Sequence, residues 1–392
     1  MQKEKIMYKQ YYTRFLEANK GKLHFAAHSH HFWPDVTRNA MTDYWDDAAK
    51  YVDDKWVKIL GEVIPEAQQH ISKIIQFDYP QNIVFAPTTH ELVYRLISCF
   101  DLSKSFRVLT TDSEFHSFSR QLSRLEENEN VKVKRVPTYP FENFQDNFIS
   151  AIKSETFDLI YLSHVFFNSG FAVQNLKEIV ESVTNEKTII IIDSYHGYFA
   201  LPTSINEIQN RVFYVSGGYK YAQSGESSCF MTIPPNCSLR PEFTGWFAIF
   251  SNMTGKQSGK VDYGDDAFRF WGSTFDPTGI YRVNAVMNWM KSIHLTVDKI
   301  HSHIIYHQNY FLEKLGEINH PILNISNIIT PLNTEYRAHF LAFKTDEAGE
   351  LHNKLKEVGV LTDFRNDRLR FGFGLYHDKH DIDALIGRFK KV

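Results

Sequence analysis

The feature that most constrains the fold is the five-residue run Thr-Ile-Ile-Ile-Ile at 188–192, which is followed directly by Asp193. A continuous apolar run of this kind fits a strand that is buried on both faces, as in a parallel sheet. Short β-branched or aromatic runs recur along the chain and alternate with helical stretches. This alternation predicts an α/β domain with helices on both sides of a mainly parallel sheet.

The apolar periodicity places the elements as follows. Strands are predicted at 83–86, 107–111, 131–136, 158–165, 188–193, 212–216 and 228–233. Helices are predicted at 89–100, 116–127, 144–152 and 175–183. Residues 37–76 are also predicted to be helical, with Pro65 at the start of a new helix.

The pattern changes at about Pro277, which predicts a second and smaller domain. Two long helical segments run to about Gly316, and a β-rich piece with strands at 339–344, 360–363 and 368–373 follows them. We therefore expect an N-terminal arm at 1–36, a large α/β domain at 37–276 and a small C-terminal α+β domain at 277–392, with the arm packing near the small domain.

Composition excludes several classes of protein. The 43 Lys and Arg against 46 Asp and Glu give a net charge of −3, which does not suit a nucleic-acid surface. The three cysteines, Cys99, Cys229 and Cys237, form neither a disulfide framework nor a zinc motif. No apolar stretch resembles a signal peptide or reaches the roughly 20 residues needed to cross a bilayer. We expect a soluble, cytoplasmic protein with no nucleic-acid or membrane partner.

An acid stands at the end of the most apolar strand, and a histidine follows three residues later. In open α/β sheets, ligands bind beyond the carboxyl ends of strands, so Asp193 and His196 are candidates for a site. A carboxylate held there could keep a pyridine nitrogen protonated, as an enzyme that uses pyridoxal 5′-phosphate (PLP) requires. The alternative from these residues alone is an acid that caps the next element, with His196 on the surface.

A lysine follows the next strand after two glycines, in Val215-Ser216-Gly217-Gly218-Tyr219-Lys220-Tyr221. Lys220 lies 27 residues after Asp193. This distance accommodates one connection and the predicted strand at 212–216, so both residues can reach the same edge of the sheet. An amine near a cationic ring and a phosphate is easily activated for Schiff-base formation. A surface lysine on a loop is the alternative.

A third feature is the turn between the first predicted strand and its helix, which contains Thr88 and Thr89. Free backbone N–H groups and hydroxyls at a helix start bind phosphate. A plain N-cap is the commoner role, and the two roles are compatible.

In their order along the chain, these features resemble class V of the fold-type I PLP-dependent enzymes, which includes aminotransferases, cysteine desulfurases and kynureninases. The resemblance spans about 24–385 and is most similar to kynureninase. The segments that carry it are Phe115-His116-Ser117, Tyr219-Lys220-Tyr221, Gly245-Trp246-Phe247, Gly272-Ser273-Thr274 and Arg365-Asn366 with Leu369-Arg370-Phe371. It implies a large domain with a mainly parallel seven-stranded sheet and a homodimer that shares its active sites.

The resemblance also implies roles for individual residues. Lys220 would be the catalytic residue that forms the Schiff base, and Arg370 would bind the substrate carboxylate through its bidentate geometry. From Arg370 alone, an ion pair at the end of a strand is the favoured alternative. The cofactor-binding residues would be Thr88, Thr89, Phe115 (stacked on the ring), Asp193, His196, Ser216, Tyr219, Lys220, Trp246 and Thr274, the last two reaching the neighbouring subunit's phosphate.

The chain departs from the kynureninase pattern at three places. Phe118 replaces an aspartate near the phosphate, and Phe166 and Phe167 replace a polar side chain near the cofactor's phenolic oxygen. Three histidines, His28, His30 and His31, replace a glycine-rich turn. We expect His28 or His30 to line the substrate entrance, and we expect no metal site because no local carboxylate or cysteine completes a ligand set.

The reaction stays open among transamination, elimination and kynureninase-type cleavage of a Cβ–Cγ bond. Cysteine desulfurase is disfavoured, because no cysteine follows Cys237 to accept sulfur late in the chain. Two rivals are a non-catalytic homologue with the same fold and a nucleotide-binding α/β enzyme. The second lacks both a Gly-x-Gly-x-x-Gly turn and a Walker-type loop.

Overall fold

The structure, a computed structural model, describes residues 8–248, 259, 261, 263–264 and 267–392. Its strands are β1 Leu23–His24, β2 Ile83–Ala86, β3 Phe106–Thr111, β4 Val131–Val136, β5 Leu159–Ser163, β6 Ile189–Asp193, β7 Val212–Ser216, β8 Cys229–Thr232, β9 Phe340–Lys344, β10 Val360–Leu361, β11 Asp363–Arg365 and β12 Arg368–Gly372. Its α-helices are α1 Thr13–Ala18, α2 Val36–Tyr51, α3 Lys55–Lys58, α4 Ile64–Ile75, α5 Thr89–Ile97, α6 His116–Leu125, α7 Phe144–Ser154, α8 Leu176–Glu181, α9 Thr278–Ser292, α10 Val297–Gly316, α11 Ala348–Glu357 and α12 Lys379–Phe389.

A seven-stranded sheet in the order β2-β8-β7-β6-β5-β3-β4 forms the centre of the fold. The pairs from β7 to β4 are parallel, and β8 is antiparallel to both of its neighbours. The isoleucines of β6 are buried on both faces of the sheet, apart from the partly exposed Ile189. This arrangement confirms the predicted α/β fold with its mainly parallel seven-stranded sheet.

The strand register places the site-forming residues at one sheet edge. Ser163 at the end of β5 pairs with Asp193 at the end of β6, and Asp193 pairs with Val215 on β7. The residues that follow β5, β6 and β7 therefore emerge side by side at the carboxyl edge, where parallel α/β sheets bind ligands.

A smaller antiparallel sheet in the order β11-β12-β9 lies in the C-terminal part of the chain. The N-terminal segment joins this part, because β1 pairs in parallel with β10 and Ala26 bridges to Gly372. The helix α2 packs against α9. These contacts bring the histidine-rich segment after β1 to the edge of β12. The exact domain bounds stay a prediction.

Most predicted elements coincide with observed ones to within a few residues at each end. The predicted helical region at 37–76 differs, because it is divided among α2, α3 and α4. Val52 has φ +49°, which ends α2, and a π-helical turn at Ile59–Val63 joins α3 to α4. Pro65 lies in the first turn of α4, directly after this π-helical turn. No helix in the described ranges is long and apolar enough to cross a membrane.

Candidate active site

A cavity of about 610 Å³ opens at the carboxyl edge of the large sheet, a size typical of small-molecule sites. Its walls come from the ends of β5 and β6, the turn after β7, the start of α5, the N-terminal segment and the small domain. The predicted residues that line it are His28, Thr88, Thr89, Phe115, Asp193, His196, Tyr219, Lys220 and Arg370. Residues from distant parts of the sequence thus meet in one pocket.

Asp193 is buried at the end of β6 and is held in place by two hydrogen bonds. The Tyr161 hydroxyl donates to Oδ2 at 2.5 Å, and the Tyr195 backbone N–H donates to Oδ1 at 2.9 Å. Burial raises the pKa of Asp193, although both hydrogen bonds and the nearby Lys220 oppose the rise. A cationic group placed against this carboxylate would relieve the cost of burying its charge.

Lys220 reaches the cavity from the turn after β7. Its Nζ lies 2.6 Å from Nε2 of His196, and it lies 5.2 Å and 4.9 Å from the ring centroids of Phe115 and Tyr195. Burial, followed by the neighbouring charge of Arg370, lowers the pKa of Lys220 to about 7, and Asp193 opposes this shift. About half of the amine is therefore neutral and nucleophilic near neutral pH.

The two glycines before Lys220 are required for space. A Cβ on Gly218 would collide with the hydroxyls of Ser224 and Ser228, and one on Gly217 would lie 2.6 Å from Sγ of Cys229. Neither glycine has a positive φ, so close packing and not backbone conformation explains them. The packed turn fixes the position of the lysine.

The cavity has an anion-binding end at the start of α5. Thr88 caps this helix, since its hydroxyl accepts a hydrogen bond from Glu91 N at 3.2 Å. Thr88, Thr89 and Tyr219 all line the cavity. A helix N-terminus with adjacent hydroxyls is suited to a phosphate group.

Arg370 lies on β12 and is buried in the cavity wall. Its guanidinium donates to Oδ1 of Asp363 at 2.6 Å and to the carbonyl oxygen of Phe167 at 2.5 Å. Its Nε has no hydrogen-bond partner within the described residues. Phe167 lines the cavity beneath this guanidinium and packs edge-on against Phe115.

His28 is fully buried in the cavity wall, which places it deeper than the predicted substrate entrance. Its ring stacks on Phe340, and neither ring nitrogen has a partner within the described residues. Burial and the nearby Arg370 hold its pKa well below the usual range. His30 instead stacks on Trp33, and His31 Nδ1 contacts its neighbouring carbonyl. The three histidines therefore have separate environments.

Three predicted cofactor residues do not line this cavity. Ser216 is buried in β7 and donates to the carbonyl oxygen of Ser194 at 3.2 Å. Trp246 and Thr274 lie on the exposed surface, where the indole N–H donates to the threonine hydroxyl at 3.1 Å. The predicted contact of Trp246 and Thr274 with the phosphate of a neighbouring subunit stays a prediction.

The sequence reasoning missed Ser163 in the cavity lining and its hydrogen-bond partner Glu114, and it missed Tyr161, which bonds Asp193. Phe118, expected near the phosphate, instead packs in the core and stacks on the Tyr161 ring with centroids 3.6 Å apart. Phe118 thereby supports the tyrosine that bonds Asp193. The only signal in the sequence was a set of polar residues within, or just after, apolar strands.

The residues present fit PLP. The cavity combines a buried carboxylate without a cationic hydrogen-bond partner in the described part of the chain, a partly neutral lysine and an anion-binding helix start. Unpartnered buried nitrogens at His28, His196 and Arg370 also face this region. The fold and the site together define a fold-type I PLP enzyme.

Comparison with known proteins identifies the family. Residues 34–385 match the family model described as Aminotransferase class-V, which covers most of the chain. The chain belongs to the class-V aminotransferase family, which confirms the predicted class V assignment, fold-type I architecture and PLP cofactor.

Similar solved structures share the fold. An apo cysteine desulfurase from Thermococcus onnurineus NA1 superposes with a TM-score of 0.78 at 16% identity, covering 94% of each chain. The cystine C-S lyase C-DES, in complex with its reaction product cysteine persulfide, gives a TM-score of 0.79 at 16% identity over 95% of this chain and 98% of that one. A lysine-to-alanine mutant of C-DES, with glycine covalently linked to the PLP cofactor, gives a TM-score of 0.80 at 15% identity over 95% and 97% of the two chains.

Among curated proteins, the mitochondrial cysteine desulfurase of Candida albicans is 24% identical over 187 residues, or 46% of this chain. The match spans only 37% of that protein's length.

Proposed function

We propose that this protein is a PLP-dependent enzyme that acts on an α-amino acid, with Lys220 as the residue that attaches the cofactor and moves the Cα proton. The observation that carries the proposal is the position of Lys220. Its partly neutral amine lies beside His196, at the same sheet edge as Asp193. Transamination and elimination both begin with loss of the Cα proton, so this arrangement supports either.

Each remaining residue has one task in this proposal. Bound PLP supplies an electron sink for the substrate Cα. Asp193 keeps a proton on the ring nitrogen, and Thr88, Thr89 and Tyr219 bind the phosphate. Arg370 binds the substrate carboxylate, since its Nε is still available for a hydrogen bond. Phe115, more than a third exposed in this chain, covers the ring.

We favour cleavage of a carbon–sulfur bond in a cysteine-type amino acid. The similar structures include a cysteine desulfurase and a cystine C-S lyase, which supports this reaction class. The cysteines argue against sulfur transfer to the protein. Cys229 lines the cavity from β8, but burial raises its pKa to about 11, so it is a poor thiolate. Cys99 and Cys237 do not line the cavity. We therefore expect the sulfur product to be released directly.

A second candidate is kynureninase-type hydrolysis of an aryl amino acid. The aromatic side chains Phe115, Phe167 and Tyr195 line the cavity and would accept an aryl group. The sequence resemblance to kynureninase supports the same choice. Aminotransferase activity, the sequence-based expectation, is the third outcome to test.

The decisive experiment incubates the PLP-loaded protein separately with L-cysteine, L-cystine, L-kynurenine and L-alanine, the last with a 2-oxo acid. Sulfide or a persulfide together with pyruvate would support carbon–sulfur cleavage, and anthranilate would support the kynureninase-type reaction. Exchange of the amino group with the 2-oxo acid would support transamination. An R370A variant serves as the matched control that removes the carboxylate contact. Absence of turnover with all four substrates would favour the non-catalytic homologue.

The homodimer with shared sites and the cytoplasmic location also remain proposals. The exposed Trp246 supports the dimer, because large aromatic side chains are common at protein interfaces.

A further inference from the structure

Glu114 is a buried acid that the proposed reaction does not use. It lies in the loop between β3 and α6 and is only 4% exposed. No lysine or arginine forms an ion pair with it in the described part of the chain, and its partners are Thr111 and Ser163. A buried carboxyl group with only neutral partners is a candidate for a protonated acid.

The hydrogen bonds around Glu114 assign the position of such a proton. Oε1 accepts from the Thr111 hydroxyl at 2.7 Å and from the Ser163 backbone N–H at 3.2 Å. Oε2 lies 2.5 Å from the Ser163 hydroxyl alone. A proton on Oε2 would therefore be donated to the Ser163 oxygen, and the Ser163 hydroxyl hydrogen would be free for another acceptor.

That other acceptor would lie in the cavity, because Ser163 lines it at the end of β5, directly beside Asp193. If Glu114 were ionised, the Ser163 hydrogen would be held by the carboxylate, and the cavity would lose this donor. The ionisable groups that interact with Glu114 are Tyr161 on β5 and Asp193 on β6, and the second disfavours a negative charge on Glu114.

We propose that Glu114 is a neutral acid that positions the Ser163 hydroxyl as a hydrogen-bond donor to an anionic oxygen of the bound cofactor or substrate. The role toward a ligand rests on the proposed function, whereas the neutral acid does not. Burial raises the pKa of Glu114 to about 8, against the opposing effect of its hydrogen bonds. Glu114 is thus a positioning residue that acts through Ser163.

The raised pKa of Glu114 should make the unfolding free energy of the protein depend on pH. Between the ordinary value of 4.5 and about 8, folded Glu114 keeps a proton that the unfolded chain has lost, so its contribution to stability falls as pH rises. Glu114→Gln is neutral at every pH and retains a donor and an acceptor. The unfolding free energy of E114Q relative to the wild type should therefore increase across this window, whereas the exposed control Glu62→Gln should show no such trend.

Infrared spectroscopy of the ligand-free protein tests the proposal directly. The wild type at pH 7 should show the carbonyl stretch of a protonated carboxylic acid, which E114Q lacks, which Ser163→Ala shifts and which E62Q leaves unchanged. Absence of this band, or a band that Ser163→Ala does not move, would overturn the proposal.

Adding ligands then identifies the acceptor. A shift of the band with PLP alone assigns it to the cofactor, and a shift only after an amino acid is added assigns it to the substrate. No shift with either would overturn the donor role. Ser163→Ala should weaken binding of the assigned ligand about 10-fold or more, the effect of losing a hydrogen bond to a charged group, and E114Q should change it less. If the protein binds no PLP, the proposed function is wrong. The infrared band of the ligand-free protein still tests whether Glu114 is protonated.

Discussion

Among single residues, Lys220 illustrates how burial prepares an amine for chemistry. Its Nζ contacts a neutral histidine and lies between two aromatic rings, where a charge is poorly solvated. The nearby Asp193 opposes this effect without cancelling it. The site thereby keeps a lysine that is neutral enough to react at physiological pH and still cationic for part of the time.

We expect the rate of covalent PLP attachment to rise with pH. Because the pKa of Lys220 is lowered to about 7, its reactive neutral fraction increases as pH rises through that value and then levels off. Stopped-flow absorbance between about pH 6 and about pH 9 measures this rate. A lysine with an ordinary pKa of 10.5 would instead give a rate that climbs throughout the range.

Asp193 is expected to contribute to cofactor affinity through its charge. Asp193→Asn can keep the hydrogen bond from Tyr161 but loses the negative charge opposite the ring nitrogen. PLP binding should weaken by about 10-fold or more, as for the loss of a charged hydrogen bond of roughly 1.5–3 kcal/mol. Equilibrium fluorescence titration measures the dissociation constant. Asp78→Asn, on a loop remote from the cavity lining, is the control, and equal affinities for D193N and D78N would exclude this role.

At this scale the sequence revealed Asp193 and Lys220 but missed Glu114 and Ser163. Asp193 and Lys220 stand out because each follows an apolar run, and the carboxyl edge of a parallel sheet is where ligands bind. Glu114 and Ser163 are joined only by the fold, since 49 residues separate them. Phe118 was expected at the phosphate, but its apolar ring instead packs on Tyr161 in the core.

Among the elements, the turn after β7 does most to determine where the reactive amine lies. The turn is closely packed. A side chain on Gly217 would collide with Cys229 of β8, and a side chain on Gly218 would collide with Ser224 and Ser228. The sequence shows two glycines but not this reason for them, because their neighbours come from Tyr195 and residues 224–229.

Gly218→Ala is therefore expected to displace the turn that carries Lys220. Overpacking typically costs about 1–3 kcal/mol, and the shifted lysine should bind PLP poorly. Chemical denaturation and PLP titration measure the two effects. Gly61→Ala is the matched control, because its added Cβ would meet no atom within 4 Å and alanine is the better helix former. A G218A protein as stable and as PLP-competent as G61A would contradict the account.

The element boundaries were predicted well where the hydrophobic pattern is strong. The strands of the large sheet follow from short buried runs, and β6 is the clearest example. The region at 37–76 was less clear because helical periodicity continues through α2, α3 and α4, whereas the positive φ of Val52 and the π-turn at Ile59–Val63 leave no sequence signal.

For the whole molecule, the cavity depends on parts of the chain that lie far apart. The N-terminal segment contributes His28 by pairing with the small domain, and β12 contributes Arg370. Hydrophobic periodicity within single helices and strands does not predict contacts between distant segments of the chain. For this reason His28 was expected at the substrate entrance and is found in the cavity wall. The family resemblance, not the spacing, supplied Arg370.

Shared active sites in a homodimer predict complementation between two inactive variants. A K220A chain lacks the reactive lysine, and a W246A chain lacks the indole that the resemblance assigns to a neighbour's phosphate. Their heterodimer should contain one intact site, so a mixture refolded together should recover tight PLP binding at about one site per two heterodimer chains. Size-exclusion chromatography with absorbance detection measures this. A mixture that binds no better than its separate components would contradict shared sites.

The most direct test of the central claim is the visible absorption of the purified protein after addition of PLP. We predict that the wild type and the surface variant Lys177→Ala acquire the band of covalently attached PLP and retain it through gel filtration. Lys220→Ala should neither form nor retain that band. A wild type that stays colourless, or a K220A protein with the same retained band, would contradict the assignment of this chain as a PLP enzyme that acts through Lys220.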